Sequence, residues 1–200
     1  TLADAHGLAF ALHTDGGVQT IKLDATAAGR PVYAALGFVE EGWIERWEGI
    51  AQPLTLPPAC REMRAADWPQ VLTLDRRAFG TDRAEILATL REESLAALVT
   101  PASGPLQGFL LARPGFARSY LGPLVATRED AALALLDAAL SCLAGQTVFV
   151  DLNTQLPQGR QWLAARGFVK QRDLLRMRLG QASAAGTSPE IWAVAGLELG

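Results

Sequence analysis

Alternation of apolar and polar residues marks two stretches far apart in the chain, TIKLDAT from Thr20 and TVFVDLNT from Thr147. A period of two sends successive side chains to opposite faces, the signature of a strand with one face buried. Each stretch carries an aspartate near its end, Asp24 and Asp151. GRPVYAALGF from Gly29 follows the first and GRQWLAARGF from Gly159 follows the second, and both predict a short helix. Strand-like segments, GWIERWEG and LLRMRLG, close both copies. The strands lie 127 residues apart and the helices 130, so the second connecting loop is three residues longer. A single Gly-Phe match carries no weight, but strand, aspartate, loop, helix, Gly-Phe and strand repeating in one order signals an internal repeat.

Between the copies the pattern predicts the remaining elements. CREMR reads as a short strand, and Asp67 as the N-cap of a helix with Pro69 in its first turn and Gly80 as its stop. AEILATLREE predicts a second helix, and LAALVT with LQGFLLARPG a hairpin turned by PASGP. SYLGPLVA predicts a further strand. Arg128 to Leu143, with Leu133, Leu136 and Leu140 on one stripe and Gly145 beyond its end, predicts an amphipathic helix packed on a sheet. The order is strand, helix, helix, three strands, helix, strand, helix, strand, which makes an α/β domain with a mixed sheet. LADAHGLAFALH, with Leu2, Ala5, Leu8, Ala9 and Leu12 at helical spacing before Gly16 and Gly17, predicts a helix that enters the first copy. A repeat of roughly 130 residues leaves the first copy incomplete at its front. The expected division is residues 1–50 as the C-terminal part of a first domain, 51–59 as linker, 60–180 as a complete second domain, and 181–200 as a tail packing back on the sheet. That tail ends in IWAVAGLELG, which is too apolar to be left free.

Composition narrows the function classes. Half of the 200 residues are apolar and a fifth are charged, enough for a sizeable core. No apolar run approaches the roughly 20 residues that span a bilayer, and the start lacks the plan of a secretory signal, so a cytoplasmic location and no membrane partner are expected. A net charge of −3 without a basic cluster argues against nucleic acid. Cys60 and Cys142 have no paired spacing and read as ordinary buried thiols, neither disulfide nor zinc ligands. His6 and His13 have no third ligand near them, so no metal is expected. Arg172, Arg176 and Arg178 read as the solvated face of the closing strand, with Met177 opposite in the core. A half-domain would leave sheet edge exposed, which leaves a homo-oligomer open.

The element order, with Tyr33-x-x-Leu36-Gly37-Phe38 near the end of the first copy, resembles the GNAT superfamily of N-acetyltransferases, whose last helix commonly carries Tyr-x-x-Leu-Gly-Phe. LDRRAFGTDR, FLLARPG, YLGPLVA, FVDL and AGLELG extend the likeness to the tandem-domain members of that superfamily. The resemblance implies a three-layer α/β/α fold with a mixed central sheet, one complete domain plus the C-terminal part of a preceding one. It implies acetyl transfer from acetyl-CoA to an amine of a small molecule or protein, with Tyr33 as the general acid that protonates the leaving thiolate. In the second copy Leu163 stands in its place. The loop that holds the pyrophosphate in this superfamily corresponds to Val125, Ala126, Thr127 and Arg128, but here it is not glycine-rich and is followed by Glu129 and Asp130. Backbone N–H groups at a helix start suit phosphates, whereas two carboxylates there repel them. Asp24 and Asp151, at strand ends, are candidates for orienting an amine, or simply fix the following loops. Arg30 and Arg160 have the choice between a phosphate and a surface salt bridge. The active site is therefore expected in the first copy. The second is either a non-catalytic ligand-binding or regulatory module, or a site for another acyl-CoA that needs an open V between the strands at Tyr120 to Ala126 and Val148 to Asp151.

Overall fold

The computed structural model describes residues 19–53, 59–181, 186 and 188–197. The expected entering helix, His6, His13, residues 54–58 of the linker and residues 182–185, 187 and 198–200 of the tail lie outside the described residues. The chain runs β1 (Thr20–Ala25), α1 (Arg30–Ala35), β2 (Val39–Ile50), β3 (Arg61–Glu62), a 3-10 turn at Ala65–Asp67, α2 (Trp68–Phe79), α3 (Ala84–Glu92), β4 (Ala96–Thr100), β5 (Gly108–Arg113), β6 (Ser119–Ala126), α4 (Glu129–Cys142), β7 (Thr147–Asn153), α5 (Pro157–Ala165), β8 (Val169–Gly180) and β9 (Ile191–Ala193). All nine strands join one sheet in the order β1-β8-β2-β7-β9-β6-β5-β4-β3. Pairing is antiparallel throughout except between β6 and β7, where Ser119↔Val148 and Tyr120↔Phe149 run parallel.

Alternation along the strands builds the layers. Leu98, Leu110, Leu121 and Leu124 face α4 and its Ala131, Leu135 and Ala139. Val99, Phe109, Leu111 and Val125 face the other way, onto Val71, Leu74 and Ala78 of α2 and Leu87 and Leu90 of α3. The sheet therefore has helices on both faces, an α/β/α sandwich. The stripe of α4 is wider than the leucines alone predict, because alanines at 131, 132, 138 and 139 are buried and let the helix lie close to the strands, while Leu133 is only half-buried. Gly80 ends α2 at φ +86° as its sequence position predicts. Asp67 makes no side-chain cap for that helix; its carboxylate instead accepts the Arg64 N–H and both ends of the Arg61 guanidinium. Arg61 holds Asp67 down to about 2. The thiols differ from expectation as well, since Cys60 is only half-buried and Cys142 is exposed.

The repeat is visible in the pairing itself. The last strand of each copy leaves its own unit and lies beside the strand of the other, β8 against β1 and β2 against β7, while β2 and β8 pair with each other. Their register pairs Val39 with Arg178 and Glu48 with Val169, and moving each residue to its counterpart 130 positions away converts one pair into the other. The bulges obey the same operation, one skipping Glu41 in β2 and the other Gln171 in β8. The residues at 20–50 and 60–180 thus share one sheet through exchanged strands, an internal two-fold of the kind a symmetric dimer has.

Candidate functional site

The Gly-Phe pair recurs because it ends both helices in one way. Phe38 N–H donates to the Tyr33 carbonyl at 3.0 Å and Gly37 N–H to Ala34 at 3.0 Å; Phe168 N–H donates to Leu163 and Gly167 N–H to Ala164, each at 3.1 Å. Gly37 and Gly167 sit at φ +89° and +77°. This is the Schellman arrangement, which needs a residue that tolerates positive φ at its end. It fixes residues 33 and 163 in equivalent places with unlike surroundings. Leu163 is fully buried under α4 and β7. Tyr33 is half-buried, its ring edge-on to Phe38 with centroids 5.7 Å apart, over a small cluster of Ala25, Leu175 and Met177. Thr26 and Gly29 close the turn that enters α1.

Asp24 and Asp151 each form a two-pronged ion pair with an arginine of the other copy's last strand. Asp24 accepts from Arg176 at 2.9 and 2.8 Å, and Asp151 from Arg46 at 2.7 and 2.6 Å. The carboxylate side chains are each 2% exposed. Arg176 also donates to the Gly186 carbonyl, and the Arg46 guanidinium lies 4.8 Å over the Phe149 ring. Arg176 is thus buried on the cross-copy interface, not on a solvated face, because its partner carboxylate comes from β1. The arginines were the missing half of the aspartate signal, and WIERWEG and LLRMRLG carry them at the same 130-residue offset. Beside the Asp24 pair, a small open recess lies between the Glu41 bulge, Trp43, Asn153 and Arg176. Arg30 pairs with Glu40 and Arg160 with the buried carboxylate of Glu45.

The residues expected around the pyrophosphate are occupied differently. β6 and β7 part after Tyr120↔Phe149, and β9 fills the wedge between them. Leu124 pairs with Ala193, Val125 with Ile191, and Leu152 with Ala193. Val125 and Ala126 are fully buried, and the Ala126 N–H donates to the Glu190 carbonyl at 2.9 Å. Thr127 N–H donates to Gln107 at 2.8 Å. Arg128 turns to Asp130, whose carboxyl it holds below the usual range at the start of α4. Spent amides and two carboxylates do not fit a diphosphate there. Among the described residues no cluster of three or more His, Cys, Asp or Glu could hold a metal, and no helix is long and apolar enough to cross a membrane.

Comparison with known proteins agrees with this architecture. A model of the acetyltransferase (GNAT) domain matches residues 71–193. A candidate acetyltransferase from Pyrococcus horikoshii superposes at a TM-score of 0.74 with 24% identity, over 92% of this chain and 60% of that one. A GCN5-related N-acetyltransferase from Sphaerobacter thermophilus superposes at 0.59 with 17% identity, over 83% and 62%, and one from Kribbella flavida at 0.57 with 20%, over 88% and 47%. The chain spans less than two thirds of each of these proteins. No curated sequence matches. With the family model covering more than half its length and the same layered fold on the page, this chain belongs to the GNAT acetyltransferase family.

Proposed function

We propose that the protein transfers an acetyl group from acetyl-CoA to an amine of a small molecule or protein, with the active site in the first copy, and that the chain is the C-terminal part of a tandem acetyltransferase. One observation carries the reading: the first copy keeps Tyr33 half-exposed at the helix position where the second copy has buried Leu163. Tyr33 has no hydrogen-bond partner among the described residues, so its phenol is available to a ligand. In the reaction the amine nitrogen attacks the thioester carbonyl, the carbon–sulfur bond breaks, and Tyr33 gives its proton to the departing thiolate while solvent takes the proton of the amine. By the internal two-fold, the counterpart of the β6–β7 wedge lies along the edge of β1 that β8 does not cover. Asp24, locked to Arg176, holds the end of β1 in place. The protein works as a soluble cytoplasmic enzyme.

The test is release of the free thiol from acetyl-CoA by the full-length protein across a panel of amines. Tyr33→Phe is expected to lower kcat by about 10²–10⁴-fold with KM little changed. Unchanged kcat removes Tyr33 from the chemistry, and absence of turnover with every amine removes the reading itself. A second reading, in which the 60–180 unit is a non-catalytic module, is favoured by the filled wedge.

A further inference from the structure

Helix α1 and Tyr33 cover one face of the sheet at the end of β1, over Ala25, Leu175 and Met177. An amine therefore reaches a thioester held there from the opposite face, and the strand register shows which side chains that face carries. β1 stops at Ala25 opposite Leu175, while β8 runs on past it, with residues 169–173 all exposed. Leu174 enters the cluster of α2 and α3 and Leu175 that of α1, so by alternation Arg172 and Arg176 share the face of Asp24. Lys170 and Asp173 belong to the other face. Asp173 lies opposite Glu45, and Lys170 pairs with both carboxylates, at 2.9 Å to Asp173 and 3.7 Å to Glu45.

Arg172 is thus left without a counter-charge. Its cross-strand neighbour is Arg46, and like charges directly opposite one another destabilise a sheet. Arg46 is neutralised by Asp151, whereas Arg172 has no hydrogen-bond or ion-pair partner among the described residues. The second copy has nothing similar at its own end. At the 130-residue offset, Gly42 stands for Arg172 and Glu41 for Gln171, and the Glu41 carboxylate is held by Lys22 at 2.7 Å and Arg178 at 3.1 Å. The exchange of final strands gives the end of β1 an unneutralised cation from the other copy, and gives the end of β7 a carboxylate already satisfied.

We propose that Arg172 binds a carboxylate or phosphate carried by the acceptor, so that the first copy selects amines that also bear a negative charge. The word acceptor rests on the acetyl-transfer reading above; the unpaired cation at the end of β1 does not. A guanidinium offers two parallel N–H donors to either anion. It also repels an ammonium group, so a zwitterionic acceptor enters with its anion at β8 and its amine turned toward the end of β1.

The experiment measures thiol release by the full-length protein with amines supplied as matched pairs, a carboxylate with its neutral amide and a phosphate monoester with its free alcohol. In at least one pair the charged member is expected to show a kcat/KM about tenfold higher, the size of one charge-assisted hydrogen bond, and the pair that shows it identifies the anion. Arg172→Gln is expected to erase that ratio by raising KM for the charged member, Arg172→Lys to restore part of it, and Arg172→Glu to invert it. Equal values within both pairs, or a ratio that survives Arg172→Gln, overturn the proposal and leave acetyl transfer standing. If no amine is acetylated, the transfer reading falls by itself and Arg172 is judged by calorimetric titration of the same charged amines. Binding that weakens about tenfold in Arg172→Gln then supports the proposal, and equal or absent binding overturns it.

Discussion

The two copies of the strand-helix-strand unit share a backbone plan down to the glycine that ends each helix, and they differ in what that plan presents. In the first copy, position 33 is a half-exposed tyrosine beside an edge strand; in the second, position 163 is a leucine under a helix, and the neighbouring wedge is packed with the chain's own tail. The lesson is that the parts preserved between the copies are those that hold the exchanged strands together. Asp24 with Arg176, and Asp151 with Arg46, keep both halves of the pair, whereas nothing in the exchange requires a phenol or an open wedge.

That comparison breaks most visibly at the ion pairs. Asp151→Ala strands the buried Arg46 and is expected to cost about 3–5 kcal/mol, and Asp24→Ala the same by its effect on Arg176; urea unfolding of both variants checks it. A much smaller loss at Asp24 would mean that the two-fold is geometric without being energetic. Next in size is Leu163→Tyr, which forces a ring and a hydroxyl into a filled core and should cost about 1–3 kcal/mol, against less than about 1 kcal/mol for Tyr33→Leu. Melting of the two variants gives the order, and equal costs would deny that the sites have diverged.

A smaller effect sits in the 60–180 unit alone. Asp67 is depressed to about 2 by Arg61, so its contribution to stability is complete above the ordinary carboxylate value near 4 and falls away as pH drops toward 2. Asp67→Asn should flatten that part of the acid unfolding curve. The smallest change is expected at Arg128→Ala, where the pair with Asp130 is exposed and screened by solvent, so urea unfolding should hardly shift. A larger loss would mean that the start of α4 does more than cap itself.

Much of this was legible in the chain. Alternation marked the strands between Arg61 and Gly180 in order, Gly80 marked the end of α2, and the 127 and 130 offsets pointed to two strand-helix-strand stretches that pair alike. What alternation cannot give is the partner of a strand. Nothing in TIKLDA says that it will pair with residues near 176 instead of its own hairpin mate, and so the arginines read as surface and the aspartates as candidate ligands for an amine. Likewise the apolar IWAVAG demanded a buried place, but the choice of the β6–β7 wedge depends on how far two distant strands diverge. Tyr33 was singled out by its motif, and the neighbours that distinguish it from Leu163 emerge only from packing.

The exchange of β2 and β8 also decides how the chain can come apart. Each final strand is clamped between two strands that both belong to the other copy, so the halves are interlocked like clasped hands and the covalent link between them is dispensable once they have closed. A cut between Pro53 and Ala59 should leave the two fragments together through a gel-filtration column, parting only under conditions that unfold the sheet itself.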